Sequence, residues 1–340
     1  MTLTITKKSP FDPQLSTVTH KLLTDESAIA WLQKHTSGLP TSIEPVQSLW
    51  SGYGEIVRVK LNGGIAPSVI VKWVEPPHDM KHPRGWTGRA SHDRKLKSYR
   101  VEQSFYTNWI SDYTASHRTA LCHVAEATKH GWRFLLEDLD ASGYARRCMS
   151  LNASQLDHCL RWLASFHAQF IGKQPTGLWK VGTYWHLATR KDELKALKDK
   201  QLRAAAQKLD VTLNNCQYRT LVHGDAKVAN FCFGQNDVSA VDFQYVGGGC
   251  GIKDVAYFLS SCLTDGECEA QAEHHLDTYF RFLQEHLPES VDGNAVEQEW
   301  RNLYPAAWAD FHRFLAGWAP NHWKIHRYTR QMTERALADC

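Results

Sequence analysis

Asp225, Asn230 and Asp242 carry the spacing in this chain that most readily turns into chemistry. Asn230 follows Asp225 by five residues, and Asp242 comes twelve after Asn230. The run Leu221-Val222-His223-Gly224-Asp225-Ala226-Lys227-Val228-Ala229-Asn230-Phe231 passes from an apolar strand into a turn. The run Val238-Ser239-Ala240-Val241-Asp242-Phe243 is a second apolar strand that ends on an acid. Two short strands flanking a loop bring the three side chains to one end of a hairpin. The oxygens of Asn230 and Asp242 suit a hard cation such as Mg²⁺. Asp225 is then left to accept a proton from an attacking hydroxyl or amine. Taken singly, each residue is unspecific: His-Gly-Asp is a common turn sequence, and an Asp closing a strand is ordinarily a cap. His223 is expected to pack and hold the backbone rather than transfer protons. The signal lies in the joint spacing between apolar strands.

The elements that must position these groups fall into a strand-rich front and a helix-rich back. Residues 45–50, 55–61 and 68–74 read as strands, with Asn62-Gly63-Gly64 as a hairpin signal between the last two. Residues 123–127 and 132–137 read as two more. The polar stretch 76–97, dense in Pro, Gly, His, Lys and Arg, reads as a loop, and helical spacing begins at residue 98. Helices are predicted over 154–171, with Ser154 as N-cap, and over 192–209, 253–262, 269–286, 296–317 and 321–338. Short strands at 220–222, 231–233 and 238–241 interrupt them. Lys72 stands out in the apolar strand Val69-Ile70-Val71-Lys72-Trp73-Val74, because a buried ammonium is costly without an anionic partner.

Composition bounds the answer without choosing it. The chain has 340 residues, 43% hydrophobic and 22% charged, with a net charge of +3. Disordered and low-complexity classes are excluded, and the charge does not argue for nucleic acid or a membrane surface. Nine cysteines without a C-x-x-C pair fit a reducing compartment, and no secretory signal or 18-residue apolar run is visible. A cytoplasmic protein with no membrane span is therefore the expectation, its oligomeric state open. Thirteen tryptophans are the unusual figure.

The segment from His223 to Asp242 resembles the catalytic centre of the kinase-like superfamily of small-molecule phosphotransferases. That group includes aminoglycoside phosphotransferases, choline and ethanolamine kinases and ecdysteroid-kinase-like proteins; the chain looks nearest to the ecdysteroid-kinase-like or choline-kinase-like branch. The resemblance implies an α+β, bilobal protein-kinase-like fold. A small N-terminal lobe with an antiparallel sheet (1–137) would hold nucleotide, and a larger, mainly helical C-terminal lobe (138–340) would hold the catalytic loop and acceptor. It implies Asp225 as catalytic base, Lys227 steadying the transferring phosphate, and Asn230 and Asp242 holding Mg²⁺ on ATP. Ser51, Gly52, Tyr53 and Gly54 would form a glycine-bearing hairpin over the phosphates. Lys72 would meet them while paired with Glu102, and backbone groups near Glu137 and Leu139 would meet the adenine. Asp254 would hold the catalytic loop and N-cap the helix it opens. The chain departs from the protein-kinase pattern at Val57, where a third glycine would stand, and in Asp242-Phe243-Gln244.

Only twelve residues separate Asp242 from Asp254, and no Ala-Pro-Glu follows, which disfavours a protein substrate. The expected acceptor is a small molecule with a hydroxyl, a choline-like amino alcohol or a sterol-like alcohol. Trp185, Trp300, Tyr304, Trp308, Phe311, Trp318 and Trp323 could line its pocket through cation–π or apolar contact. Their three- and four-residue steps equally describe a core stripe. Glu297, Glu299 and Asp310 are expected to face solvent. Two rivals stand beside this reading: a catalytically inactive kinase-like binding protein, and a metal-dependent hydrolase suggested by eighteen histidines. The intact set Lys72, Asp225, Asn230 and Asp242 disfavours the first. No H-x-x-x-H pair stands beside a matching third ligand, which disfavours the second.

Overall fold

The structure, a computed structural model, describes residues 17–77, 88–110 and 117–339. It begins with two helices, α1 (Thr17–Thr24) and α2 (Glu26–Thr36), the second N-capped by Asp25 through the Ser27 and Ala28 N–H groups. A five-stranded antiparallel sheet follows, built from β1 (Leu39–Ser48), β2 (Gly54–Asn62), β3 (Ser68–Val74), β4 (Cys122–Thr128) and β5 (Gly131–Glu137), in the order β1-β2-β3-β5-β4. Helix α3 (Gly88–Asn108) connects β3 to β4.

The alternation of β3 decides which residues face which partner. Val69, Val71 and Trp73 pack with Leu22, Trp31 and Leu32 of α1 and α2. Val74 joins Tyr99, Phe105 and Phe134 on the opposite face, under α3. Lys72, two residues before Val74, shares that second face, where it opposes Ile56 on β2 and Phe134 on β5.

The rest of the chain is a helical body carrying two small antiparallel ladders. Its helices are α4 (Ala153–Gln169), α5 (Lys191–Ala196), α6 (Lys200–Asn214), α7 (Ile252–Cys262), α8 (Asp265–His286), α9 (Gly293–Trp318) and α10 (Arg327–Ala338). Helix α4 packs on α8, while α5, α6, α7 and α10 pack on α9. The ladders pair β6 (Thr220–Val222) with β9 (Gly247–Gly249), and β7 (Phe231–Phe233) with β8 (Val238–Ala240). The fold is α+β as expected, a front sheet followed by a mainly helical remainder. No helix among the described residues is long and apolar enough to cross a membrane, and the eight cysteines among them are free thiols.

Several boundaries differ from the sequence reading. Residues 88–97 are helix, not loop; residues 78–87 of the expected loop lie outside the described residues. Asn152, not Ser154, caps α4, in a capping box with Gln155. The stretch 192–209 divides into α5 and α6, because Asp199 caps a new helix through the Leu202 N–H. Asp310 lies in the interior, bonded to Arg313 at 2.7 Å and to the Trp185 indole N–H at 3.0 Å. Glu299 accepts from the Gln217 and Tyr218 N–H groups, fastening the approach to β6.

Candidate active site

The turn after β6 is fixed from beneath by one carboxylate. Asp254, fully buried in the first turn of α7, accepts the His223 N–H at 2.5 Å and the Gly224 N–H at 3.0 Å. His167 Nε2 stands 3.3 Å away on the other side. The expected grip on the loop is present, but the expected cap is not, since Gly251 takes the N-cap position and Asp254 lies inside the helix. Gly224 has φ +78°, and a Cβ there would lie 2.2 Å from the Tyr245 carbonyl oxygen, so only glycine fits.

His223 connects the two acids. Its Nδ1 accepts the Asp225 N–H at 3.2 Å and its Nε2 bonds the Val241 carbonyl at 3.1 Å. This pair of bonds requires the proton on Nε2, and burial pushes the imidazole pKa down, which keeps the ring neutral. His223 is thus a brace between the peptides of Asp225 and Asp242.

Asp225 is 6% exposed and held at both oxygens. Oδ2 accepts from Lys227 Nζ at 2.8 Å and from Asn230 Nδ2 at 3.0 Å; Oδ1 accepts from the Tyr257 hydroxyl at 3.1 Å. The attraction of Asp225 and Asp242 outweighs the burial of Lys227 and raises its pKa, so it stays an ammonium. Asn230 spends its amide NH₂ on Asp225, both backbone and side chain, which turns its Oδ1 the other way.

Asp242, two residues past β8, has φ +69°, a left-handed conformation that non-glycine residues adopt rarely and Asp more readily than most. Such strain persists where the surroundings fix it. Its buried Oδ1 accepts no hydrogen bond among the described residues and is ion-paired with Lys72 Nζ at 3.5 Å. Burial works against its charge, but Lys72, Lys95 and Lys227 together hold its pKa below the usual range.

Lys72 is 4% exposed and donates to both oxygens of Glu102 at 2.8 Å. Burial opposes its charge; Glu102 and Asp242 outweigh that and keep it an ammonium. A carboxylate oxygen left orphaned at Asp242 and a carbonyl oxygen turned out at Asn230 fit a hard cation. Among the described residues no three His, Cys, Asp or Glu gather into a closed cage.

Ser51 and Gly52 form the tip of the hairpin between β1 and β2, with Gly54 beginning β2. Tyr53 turns inward instead, its hydroxyl 2.7 Å from His92 Nδ1. At the far end of the sheet, Glu137 pairs with Arg118 at 2.5 Å, and its own N–H goes to the Leu121 carbonyl. The Leu139 carbonyl is taken by the Tyr144 N–H, and its own N–H has no acceptor among the described residues.

Sequence reasoning passed over four contributors. Lys95 on α3 reaches Gln244 Oε1 at 2.7 Å, beside Asp242. Asp138 fastens the segment after β5 to Arg58 and Ser68, both at 2.7 Å. Tyr257 lies three residues after Asp254, so the two share a helix face; that spacing was a usable signal. Lys324 lies between α9 and α10, and nothing near it in sequence marks it.

Residues 180–290 match the model of the ecdysteroid kinase-like family. That stretch carries Asp225, Asn230, Asp242 and Asp254, and the resemblance to kinase-like small-molecule phosphotransferases stands on it. The search of curated proteins finds no match. Among solved structures, the chain is similar to an amicoumacin kinase in complex with AMP-PNP, Ca²⁺ and Ami (13% identity, 94% of each chain covered, TM-score 0.48). It is also similar to a choline kinase from Streptococcus pneumoniae (14% identity, 88% of this chain and 94% of that one, TM-score 0.42). A third is a thermostable mutant of an aminoglycoside phosphotransferase with ADP and hygromycin B (11% identity, 92% and 98%, TM-score 0.47).

Proposed function

We propose that the protein is a small-molecule kinase, an ATP- and Mg²⁺-dependent phosphotransferase that moves the γ-phosphoryl group to the hydroxyl of a choline-like or sterol-like alcohol. The observation that carries the reading is the convergence of Lys72, paired to Glu102, on the orphaned oxygen of Asp242, with Asp225 held nearby by Lys227, Asn230 and Tyr257. The division into a nucleotide-holding lobe (1–137) and a catalytic and acceptor-binding lobe (138–340) goes with it.

In this mechanism the acceptor hydroxyl gives its proton to Asp225 while its oxygen bonds to phosphorus. The bond to the leaving diphosphate breaks, and its electron pair departs with ADP. Tyr257 and Asn230 hold the Asp225 carboxylate in one orientation, which lowers the cost of alignment. Lys227 faces the transferring group, and Lys72 meets the α- and β-phosphates, with Ser51, Gly52 and Gly54 in the hairpin above them. Leu139 N–H and the backbone at Glu137 take the adenine. Mg²⁺, held by Asn230 and Asp242, would neutralise charge on the phosphate oxygens.

The test has two parts. ATP with Mg²⁺ is expected to raise the melting temperature of the wild type and to raise that of Asp242→Ala much less. ATP consumption across a panel of alcohols is expected to identify an acceptor, with Asp225→Asn lowering kcat by about 10²–10⁴-fold. No nucleotide-dependent shift, or full turnover in Asp225→Asn, counts against the reading.

A further inference from the structure

Between α9 and α10 the chain dips back into the protein and buries a lysine. Lys324 is 8% exposed. Its Nζ stands 4.7 Å from the centroid of the Tyr257 ring, 5.5 Å from that of Phe311 and 5.6 Å from that of Trp323. Among the described residues Nζ makes one hydrogen bond, a long one of 3.4 Å to Ser260 Oγ, and no ion pair. The backbone around it is built in, since the Lys324 N–H donates to His322 Nδ1 and the Lys324 carbonyl accepts from Thr329 Oγ1 at 2.7 Å.

Tyr257 belongs to two groups at once. Its ring is one wall around Lys324, and its hydroxyl holds Asp225 Oδ1. Three aromatic faces around one point are a receptor for a cation, and this one adjoins the carboxylate assigned as base. The chain has already supplied the cation. An acceptor bearing its own positive charge would have to displace Lys324 or sit against it.

We propose that Lys324 is a specificity-determining residue of the acceptor site: its ammonium fills the aromatic cage beside Asp225, so the site takes uncharged or anionic alcohols and refuses quaternary-ammonium alcohols. The proposal rests on the phosphotransferase reading above and narrows it, removing choline-like acceptors. Electrostatics agrees with the geometry. Burial pulls the Lys324 pKa down to about 8, with Asp225 and Cys262 acting to raise it and Lys227 acting with burial. Burial and then the positive charge of Lys324 hold the His322 imidazole pKa down, and at His326 burial, Arg330 and Lys324 do so against the pull of Asp265. A further cation in this neighbourhood meets the charges of Lys324 and Lys227 together, with Asp225 the carboxylate that acts on both.

The experiment compares choline with its uncharged isostere, 3,3-dimethylbutan-1-ol, on the full chain with ATP and Mg²⁺. Wild type is expected to favour the isostere at least tenfold in kcat/KM. Lys324→Met vacates the charge at similar volume and is expected to shift the ratio at least tenfold toward choline, whereas Lys324→Arg retains the wild-type ratio. Calorimetric titration of both alcohols into nucleotide-loaded protein reads the same preference without turnover, and Lys324→Gln carries the comparison should the Met variant not fold. Equal use or binding of the two alcohols by wild type, a ratio unchanged in both Lys324→Met and Lys324→Gln, or binding of neither alcohol overturns the proposal. If ATP with Mg²⁺ still shifts the melting temperature in those cases, only the Lys324 assignment falls. Loss of that shift removes the phosphotransferase reading as well.

Discussion

Two buried lysines, Lys72 and Lys324, solve their burial differently. Lys72, on β3 of the sheet, makes two 2.8 Å bonds to Glu102 and stands 3.5 Å from Asp242, and its pKa is raised. Lys324, beyond α9, has three aromatic rings and one long bond to a hydroxyl, and its pKa is lowered to about 8. Both are removed from water, so burial works against both charges. What separates them is the anion. A cation already matched to carboxylates is a fixed part of the frame. A cation with no carboxylate partner among the described residues is, in our proposal, what sets the charge of the molecule bound beside it.

The comparison can be broken most severely at Lys72. Replacing it with Met leaves Glu102 buried without its partner, and breaking a buried pair costs about 3–5 kcal/mol. Chemical denaturation of Lys72→Met is expected to show that loss; a change near zero would mean the pair is not desolvated as described. The same substitution at Lys324 is expected to act in the opposite direction. Removing an uncompensated buried charge while keeping its volume is expected to stabilise by about 1–3 kcal/mol. A large destabilisation in Lys324→Met would make the two lysines alike and end the contrast.

The smallest effect is a pH slope. In the unfolded chain Lys324 holds its proton until about pH 10.5, its ordinary value, whereas in the fold it releases it at about 8. The unfolded state therefore binds more protons between those values, and stability contributed at this position rises with pH across that window. Below pH 8 the full cost of the buried charge is present. Melting curves of wild type and Lys324→Met are expected to converge between pH 8 and 10, with a constant gap below pH 8. A gap that widens with pH contradicts the lowered pKa.

How much of this was legible depended on whether the stabilising contacts were local. Strand β3 was readable because its apolar run packs on both faces, and β6 and β7 because their apolar runs border the turn that carries Asp225. Strand β9 was not, because Gly247-Gly248-Gly249 has no strand propensity at all. Its reason is steric: a Cβ at Gly247 would lie 2.3 Å from the Trp179 carbonyl oxygen, a partner far away in sequence. The start of α3 was lost for a similar reason. Its polar first half lacks an apolar period, and its anchors, Arg94 to the Thr189 carbonyl and Lys95 to Gln244, come from distant segments. Among the aromatic residues, the stripe Trp300, Tyr304, Trp308 and Phe311 lies in the core, as its spacing allowed, while Trp323 is 60% exposed at the edge of the Lys324 cage.

Phe243 gives the site a mechanical property of its own. The ring next to Asp242 stacks on Phe105 of α3 with centroids 4.3 Å apart and meets Tyr106 edge-on at 5.8 Å. Phe105 lies three residues beyond Glu102 on that helix. A swing of α3 that drew Glu102 away from Lys72 would carry the Phe105 wedge with it and tug on the strained peptide at Asp242. Lys72 and Asp242 are thus geared to one lever, since a single movement of α3 would loosen the Glu102 pair and the turn at Asp242 together.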